Sequence, residues 1–469
     1  MFAVHTSPYS GSWYPADASE LERLLNERFE QSSLRVPFLF PDGAGFVVPH
    51  AGPEYSGAVA AAVYRALSKA RPERVVLLAF PHRGGLKGVA APQVSAIATP
   101  LGEAPIDPAF GGFPQAAEDR LCDHSFEIQL PFLQHAVPDA KITPLYVGRM
   151  GEADRNAAAD ALADAWQPGV VFVASSDFTH YGRNFGFTPF PAAAAAAGRI
   201  RDLDFECIEA AAAQDPALFL RTLEETGATV CGADPIALLL AVLRRLDLGL
   251  YQAVLDYQTS GEITGDFNHS VSYAALGFFP RHAFDLARAD CELLMDGAAA
   301  NLTAVRQTGE RRESVAPGGG PALAARRGVF VSLHKGKELL GCVGSCAGQS
   351  TLSQDVADLT LSAALDDPRF RPAASLAGPI DIEISVLTPF RRITKSEECQ
   401  VGRHGLFLQL GERAGLLLPQ VASERNWTSE EFLQAVARKA SVGPRAWRDP
   451  KAKLYVFEAQ VFSRSQAVP

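Results

Sequence analysis

The chain is poor in the features that would make its role easy to read. Its seven cysteines are odd in number and no two are spaced C-x-x-C, which excludes a disulfide framework and a zinc ribbon alike. No stretch of about 18 uncharged apolar residues occurs, so the sequence offers no candidate membrane-spanning helix. Its longest bland segment, the alanine-rich run from Pro191 to Asp204, reads as an ordinary helix. The opening MFAVHTSPYSGSWYP has neither a basic n-region nor an apolar h-region, and without a secretory signal the expected location is the cytoplasm. There is no P-loop, no G-x-G-x-x-G, no G-x-S-x-G and no H-E-x-x-H, so nucleotide binding and the common hydrolase chemistries lack sequence support. Positive charge is not in excess either. Lys and Arg number 43 against 53 Asp and Glu, a formal charge of −10, which argues against nucleic acid or an anionic membrane as partner.

What is present is a long chain with a change of pattern. At 469 residues it is long enough for two or three domains, each with a full core. From about residue 43 to 280, short β-branched runs (RVVLLAF, KITPLYVG, VVFVASS) alternate with helical stretches such as SGAVAAAVYRALSKA. That alternation predicts βαβ units and a largely parallel central sheet in an α/β domain. A helical segment and the Gly/Pro-rich VAPGGGPALAA follow. Beyond them, alternating strands (GVFVSLH, IDIEISVLTP, HGLFLQL, KLYVFEAQVF) mix with helices in the manner of an α+β domain. The boundary falls near 283, giving domains over 1–283 and 284–469.

Three of the predicted strands end on metal-capable side chains. GFVVP runs into His50, RVVLLAFP into His82, and VVFVASS into Asp177 with His180 three residues on. In an open α/β sheet, ligands gather outside the carboxyl ends of the strands, so these residues would be delivered to one place. A helical turn after Asp177 would set it and His180 on one face. Cys231 opens the apolar run CGADPIALLLAVLRRL, and a helix N-terminus favours a thiolate. Each residue also has a plainer explanation. The histidines open loops, Asp177 caps a helix, and Cys231 is a small buried hydrophobe. CDHSFEIQLPFL adds His124, as an acid/base or orienting group, beside the N-cap candidates Asp123 and Ser125, with Glu127 placed to complete a capping box. Trp13 and Tyr14 are either a packed aromatic turn or the mouth of a pocket, for which Tyr55 is a further candidate.

These pieces in this order, GSWYP, VPHAG-x-x-YSG, the strand ending at His82, DHSFEIQLPFL, SSDFTHYG and CGADPI, resemble the Memo family over about residues 5–281. The resemblance implies the fold of class III extradiol dioxygenases (a LigB-like sandwich), which hold non-haem iron with two histidines and a carboxylate. It implies a pocket near His50, His82, Asp177, His180 and Cys231 with iron or copper bound. The metal ligands expected there are His50, His82 and Cys231, the catalytic groups Asp177, His180 and, from its own segment, His124, and the metal iron, with copper or zinc as alternatives. AFPHRG departs from the family's Gly-Pro-Ser-His around His82.

RRGVFVSLHKGKELLGCVGS, AALDDPRFRP, VGRHGLFL and LLLPQVASERNWTSEEFL resemble the AMMECR family over about residues 285–465. Leu340 stands where that family's Leu-Arg-Gly-Cys-Ile-Gly has arginine, and Cys342, Arg369 and His404 are the pocket candidates there. Gly341 and Gly344 mark backbone that comes close to something. The pairing implies a radical S-adenosylmethionine protein as a working partner, as in AmmeMemoRadiSam systems. The expected function is a metal-dependent redox enzyme acting on a small organic or aromatic substrate or a modified biomolecule. A non-catalytic binding scaffold and a metal-assisted hydrolase are the rivals.

Overall fold

The structure, a computed structural model, describes residues 3–191, 196–311 and 313–465. The chain divides into two units, Met1–Ala283 and Phe284–Pro469.

In the first unit the apolar runs become the strands Gly45–Val48, Val170–Ser175, Arg74–Ala79 and Lys141–Val147, adjacent in that order and all parallel. They are continuously apolar because both faces are covered, and Val47, Phe172, Val76 and Leu145 are wholly buried. Helix Ala233–Leu246, which is apolar nearly all round, packs against Val170–Ser175, while Gly57–Ala70 packs against Gly45–Val48. The alanine-rich run is helical over Ala196–Ala212, and its residues 192–195 lie outside the described ones.

The largely parallel pairing expected from the sequence holds for those four inner strands and, further out, for the short pairing of Val89–Pro92 with Gln115–Ala116. His269–Phe279 runs antiparallel to Gly45–Val48, to Tyr251–Thr259 and to His180–Gly182, and Val89–Pro92 runs antiparallel to Lys141–Val147. The nine-stranded sheet is therefore mixed. Tyr251–Thr259 and His269–Phe279 are joined through one short helix, Ser260–Thr264, which is too brief for a parallel crossover and closes a hairpin-like return.

The second unit is α+β, with two antiparallel four-stranded sheets. One sheet orders Glu338–Ser345, Val329–Lys335, Asp381–Leu387 and Ala459–Ser465. The other orders Arg391–Ile393, Lys453–Phe457, Gly405–Leu410 and Arg413–Leu417. Helices Arg288–Thr308 and Leu352–Leu365 share a core with the first sheet, and Ser429–Lys439 with the second. Among the described residues no helix is long and apolar enough to cross a membrane.

Candidate metal centre

Parallel strands place their carboxyl ends on one edge of the sheet. Gly45–Val48 and Arg74–Ala79 flank Val170–Ser175, so His50, His82 and Asp177 emerge together. His124 arrives from a different direction, as the first residue of the short helix His124–Glu127, whose N-cap is Asp123. Ring nitrogens of His50, His82 and His124 all lie within 4.8 Å of one another. The ring centroids are 5.1 Å apart for His50 and His82, 5.3 Å for His50 and His124, and 4.1 Å for the stacked His82 and His124.

Hydrogen bonds behind each ring decide which nitrogen is available. The Ser175 hydroxyl donates to Ser125 O, so it accepts from His50 Nδ1 at 3.0 Å and leaves the lone pair on His50 Nε2, which faces Cys231 Sγ at 3.2 Å. Gln129 also donates to Ser175 Oγ (3.2 Å) and to Pro49 O (2.8 Å), and it accepts from Tyr64 OH (2.7 Å), which locks this buried arrangement. Asp123 Oδ1 lies 2.9 Å from His82 Nδ1 and 3.3 Å from His124 Nδ1. One carboxylate oxygen thus serves two imidazoles in the way carboxylates orient metal-binding histidines. His180 Nδ1 donates to the carbonyls of Phe178 (2.9 Å) and Thr229 (3.0 Å), which again leaves Nε2 as the basic nitrogen.

The electrostatics favour a neutral ring at His50 and at His124. Burial, reinforced by the neighbouring histidines, holds His50 well below the usual imidazole range. Burial likewise lowers His124 to about 4, against the pull of Asp123. Metal ligation requires unprotonated imidazole, and this pocket supplies it. Asp177 is pushed up to about 6 by burial, opposed by His180 and by the backbone N–H groups of His50 and Ala51. Cys231 Sγ lies 3.2 Å from His50 Nε2 and 3.3 Å from the Asp177 N–H. Burial and the Asp177 carboxylate push the Cys231 thiol up to about 12, so the thiolate expected at a helix start does not form there unaided. It touches His50 but stands outside the tight three-histidine group.

A family model described as a Memo-like protein matches residues 6–277, and one described as AMMECR1 matches residues 297–462. The chain belongs to the Memo-like family, with an AMMECR1 domain fused behind it. A MEMO1 family protein of Methanosarcina acetivorans is 34% identical over 281 residues, 57% of this chain and 96% of that protein. The memo-1 homolog of Caenorhabditis elegans is 28% identical over 293 residues, 58% of this chain and 83% of the relative. A crystal structure of an uncharacterized Pyrococcus horikoshii protein is 30% identical, with a TM-score of 0.33, and covers 38% of this chain and 96% of its own.

In the Memo-like region the histidines open into a cavity of about 600 Å³ lined also by Trp13, Tyr55, Asp177, His180 and Phe185. The Trp13 ring sits 4.8 Å from that of His124, and Tyr9 contacts both edge-on. Tyr14, expected at the pocket mouth, is instead buried and donates to Ser7 Oγ at 3.1 Å. In a Trp-Tyr pair the two side chains diverge, and only Trp13 faces the opening. A larger cavity of about 710 Å³, lined by Tyr181, Arg183 and His269, gathers no cluster of metal-donor atoms among the described residues.

The helical turn expected after Asp177 is absent. Residues 176–179 run on as irregular backbone, with Ser176 N–H bonded to Val48 O and Phe178 N–H to Ser272 O. Both Asp177 and His180 reach the cavity all the same. The capping box expected at Glu127 is also absent. Asp123 alone caps the helix, by accepting from Ser125 N–H, and Glu127 turns to His5. Sequence reasoning treated Asp123 only as a cap, and it passed over Tyr9, Gln129 and Phe185. The doublet Asp123-His124 was the available signal, because a carboxylate beside a histidine is the usual orienting pair.

In the AMMECR1 region, Cys342 and Arg369 do come together. Asp367 accepts from the Cys342 N–H at 2.9 Å, and Arg369 donates to Cys342 O (2.7 Å) and to Asp367 (2.7 Å). This is a clamp on the Cys342 backbone. His404 belongs elsewhere, buried before the strand Gly405–Leu410, where its Nδ1 accepts from Gln400 N–H at 3.1 Å.

Proposed function

We propose that this protein is a metal-dependent redox enzyme whose centre is held by His50, His82 and His124. Its substrate would be a small organic or aromatic molecule or a modified biomolecule. The observation that carries the reading is the convergence of three imidazoles, within 4.8 Å, at the wall of a substrate-sized cavity. An imidazole donor set suits iron, copper and zinc. Iron(II) is our first assignment, in keeping with the dioxygenase-like lineage read from the sequence. When bound, the metal supplies Lewis acidity and electron exchange at an open coordination position.

The chain's own residues do the rest. Asp123 and Ser175 hold the imidazoles in register, so little reorganisation is needed on binding. Cys231 Sγ, 3.2 Å from His50 Nε2, is the reserve donor, its thiol proton leaving when sulfur binds the metal. His180 Nε2 is placed to take a proton from a substrate hydroxyl, and Asp177, raised to about 6, stands beside it as a second proton carrier. Trp13, Tyr55 and Phe185 receive a flat substrate and exclude water. The Memo–AMMECR1 fusion supports a radical S-adenosylmethionine protein as working partner.

The test is elemental analysis of anaerobically purified chain beside His50→Ala, His82→Ala and His124→Ala. Near one iron or copper per chain, lost in all three variants, is the expected result. Wild-type protein that takes up neither metal after anaerobic reconstitution would leave a non-catalytic binding module as the better reading.

A further inference from the structure

A second convergence of donors lies in the same unit and has no part in the chemistry above. His5 stands in the strand Ala3–Thr6, Cys122 precedes the helix His124–Glu127, and Glu127 ends it. One donor atom from each of the three lies within 4.8 Å of the others. His5 Nε2 is 3.2 Å from Glu127 Oε1, and His5 Nδ1 is 3.4 Å from Glu118 Oε2. Glu127 is wholly buried at 0% exposure. Its other oxygen, Oε2, has no hydrogen-bond partner among the described residues.

A buried carboxylate oxygen without a partner is expensive. A protonated His5 bridging Glu118 and Glu127 would satisfy Oε1, yet it leaves Oε2 bare and gives the free thiol of Cys122 no role. A cation among the three donors accounts for all of these features at once. We propose that His5, Cys122 and Glu127 form a second metal site, for a zinc-class divalent cation, distinct from the three-histidine centre.

Nitrogen, sulfur and carboxylate oxygen together are the donor set of zinc. Glu118 Oε2, 3.4 Å from His5 Nδ1, stands on the far side of the ring, where a carboxylate would favour Nε2 as the nitrogen facing the ion. Binding exchanges the Cys122 S–H proton for a sulfur–metal bond, and that proton leaves to the buffer. No electron transfer is involved. The ion would tie the N-terminal strand to the turn that carries His124, so its role is to hold that ligand in place.

The test uses the full-length chain, stripped with a chelator and titrated with cobalt(II), then zinc. His5→Ala, Cys122→Ala and Cys231→Ala are titrated beside it. The expected result is one fewer equivalent bound in His5→Ala and in Cys122→Ala than in the intact chain. Both should also lose a thiolate-to-cobalt charge-transfer band that Cys231→Ala retains. The readout is a difference from the intact chain, so it is the same whether or not the three-histidine centre binds metal. His5 is in a short peripheral strand, and its alanine variant should show an unchanged far-ultraviolet circular dichroism spectrum. It alone decides the matter should Cys122→Ala fail to fold. Unchanged stoichiometry in His5→Ala, or a band that survives in soluble Cys122→Ala, would overturn the proposal.

Discussion

Asp123 Oδ1 is shared between His82 and His124, which makes it the residue on which two of the three donors depend. Asp123→Asn keeps the shape and can still cap the helix, but its amide is a weak acceptor for two ring N–H groups. Metal affinity should fall about 10–100-fold with the secondary structure unchanged, as read by competition against a chelator. In the second unit Asp367 carries a separate prediction. The Arg369 side chain, helped by the Cys342 and Arg369 backbone N–H groups, lowers its carboxyl from 3.8 to about 2. A depressed carboxylate contributes stability that is complete above the unfolded value and is lost as the pH falls through the folded one. Denaturant unfolding of the second unit should therefore weaken between about pH 4 and pH 2. After allowance for solvent screening the loss is about 1 kcal/mol, and Asp367→Asn should remove that part of the pH dependence. His50, His82, Asp177 and His180 were legible because they follow apolar runs. Asp123 and Ser175 were not legible as orienting groups, since a hydrogen bond between residues such as His50 and Ser175 leaves no periodic trace in a sequence.

Elements were legible where burial shaped composition, and illegible where a neighbour dictated the path. The helices expected among the strands of the second domain appear as Leu352–Leu365 and Ser429–Lys439, and the second carries a capping box between Thr428 and Glu431. KLYVFEAQVF reads as one strand, yet it is two in different sheets, Lys453–Phe457 and Ala459–Ser465. Between them Glu458 N–H bonds to Thr388 Oγ1 at 3.0 Å. The glycines around Cys342 were read as a close backbone approach, and Gly341 is one. A Cβ there would fall 2.1 Å from Ala363 O, in the helix Leu352–Leu365. Gly341→Ala must therefore push strand and helix apart, and a cost of about 1–3 kcal/mol should appear as a lower unfolding midpoint for the second unit. An unshifted midpoint would mean that the helix yields without cost.

At the scale of the whole chain, the candidate site residues and the core of the Memo-like unit are self-contained. His50, His82, His124, Asp177, His180 and Cys231 all fall within Met1–Ala283, and the large core running from Val47 to Phe278 draws on that unit alone. A chain ending at Ala283 should fold cooperatively and take up the same metal, in the same stoichiometry, as the full chain. Aggregation or loss of that metal on truncation would show that the AMMECR1 region is needed to complete the unit. The sequence by itself determined the two-part organisation, the apolar inner strands and the residues at their ends, because burial and strand polarity act locally and leave a pattern. Only the tertiary structure decided that the outer strands return antiparallel, that His124 completes the cluster and that Cys231 faces His50 Nε2. Only there, too, does His5 meet Glu127 across 122 positions. Those outcomes depend on which distant segments pack together, and no local rule of composition or spacing carries that information.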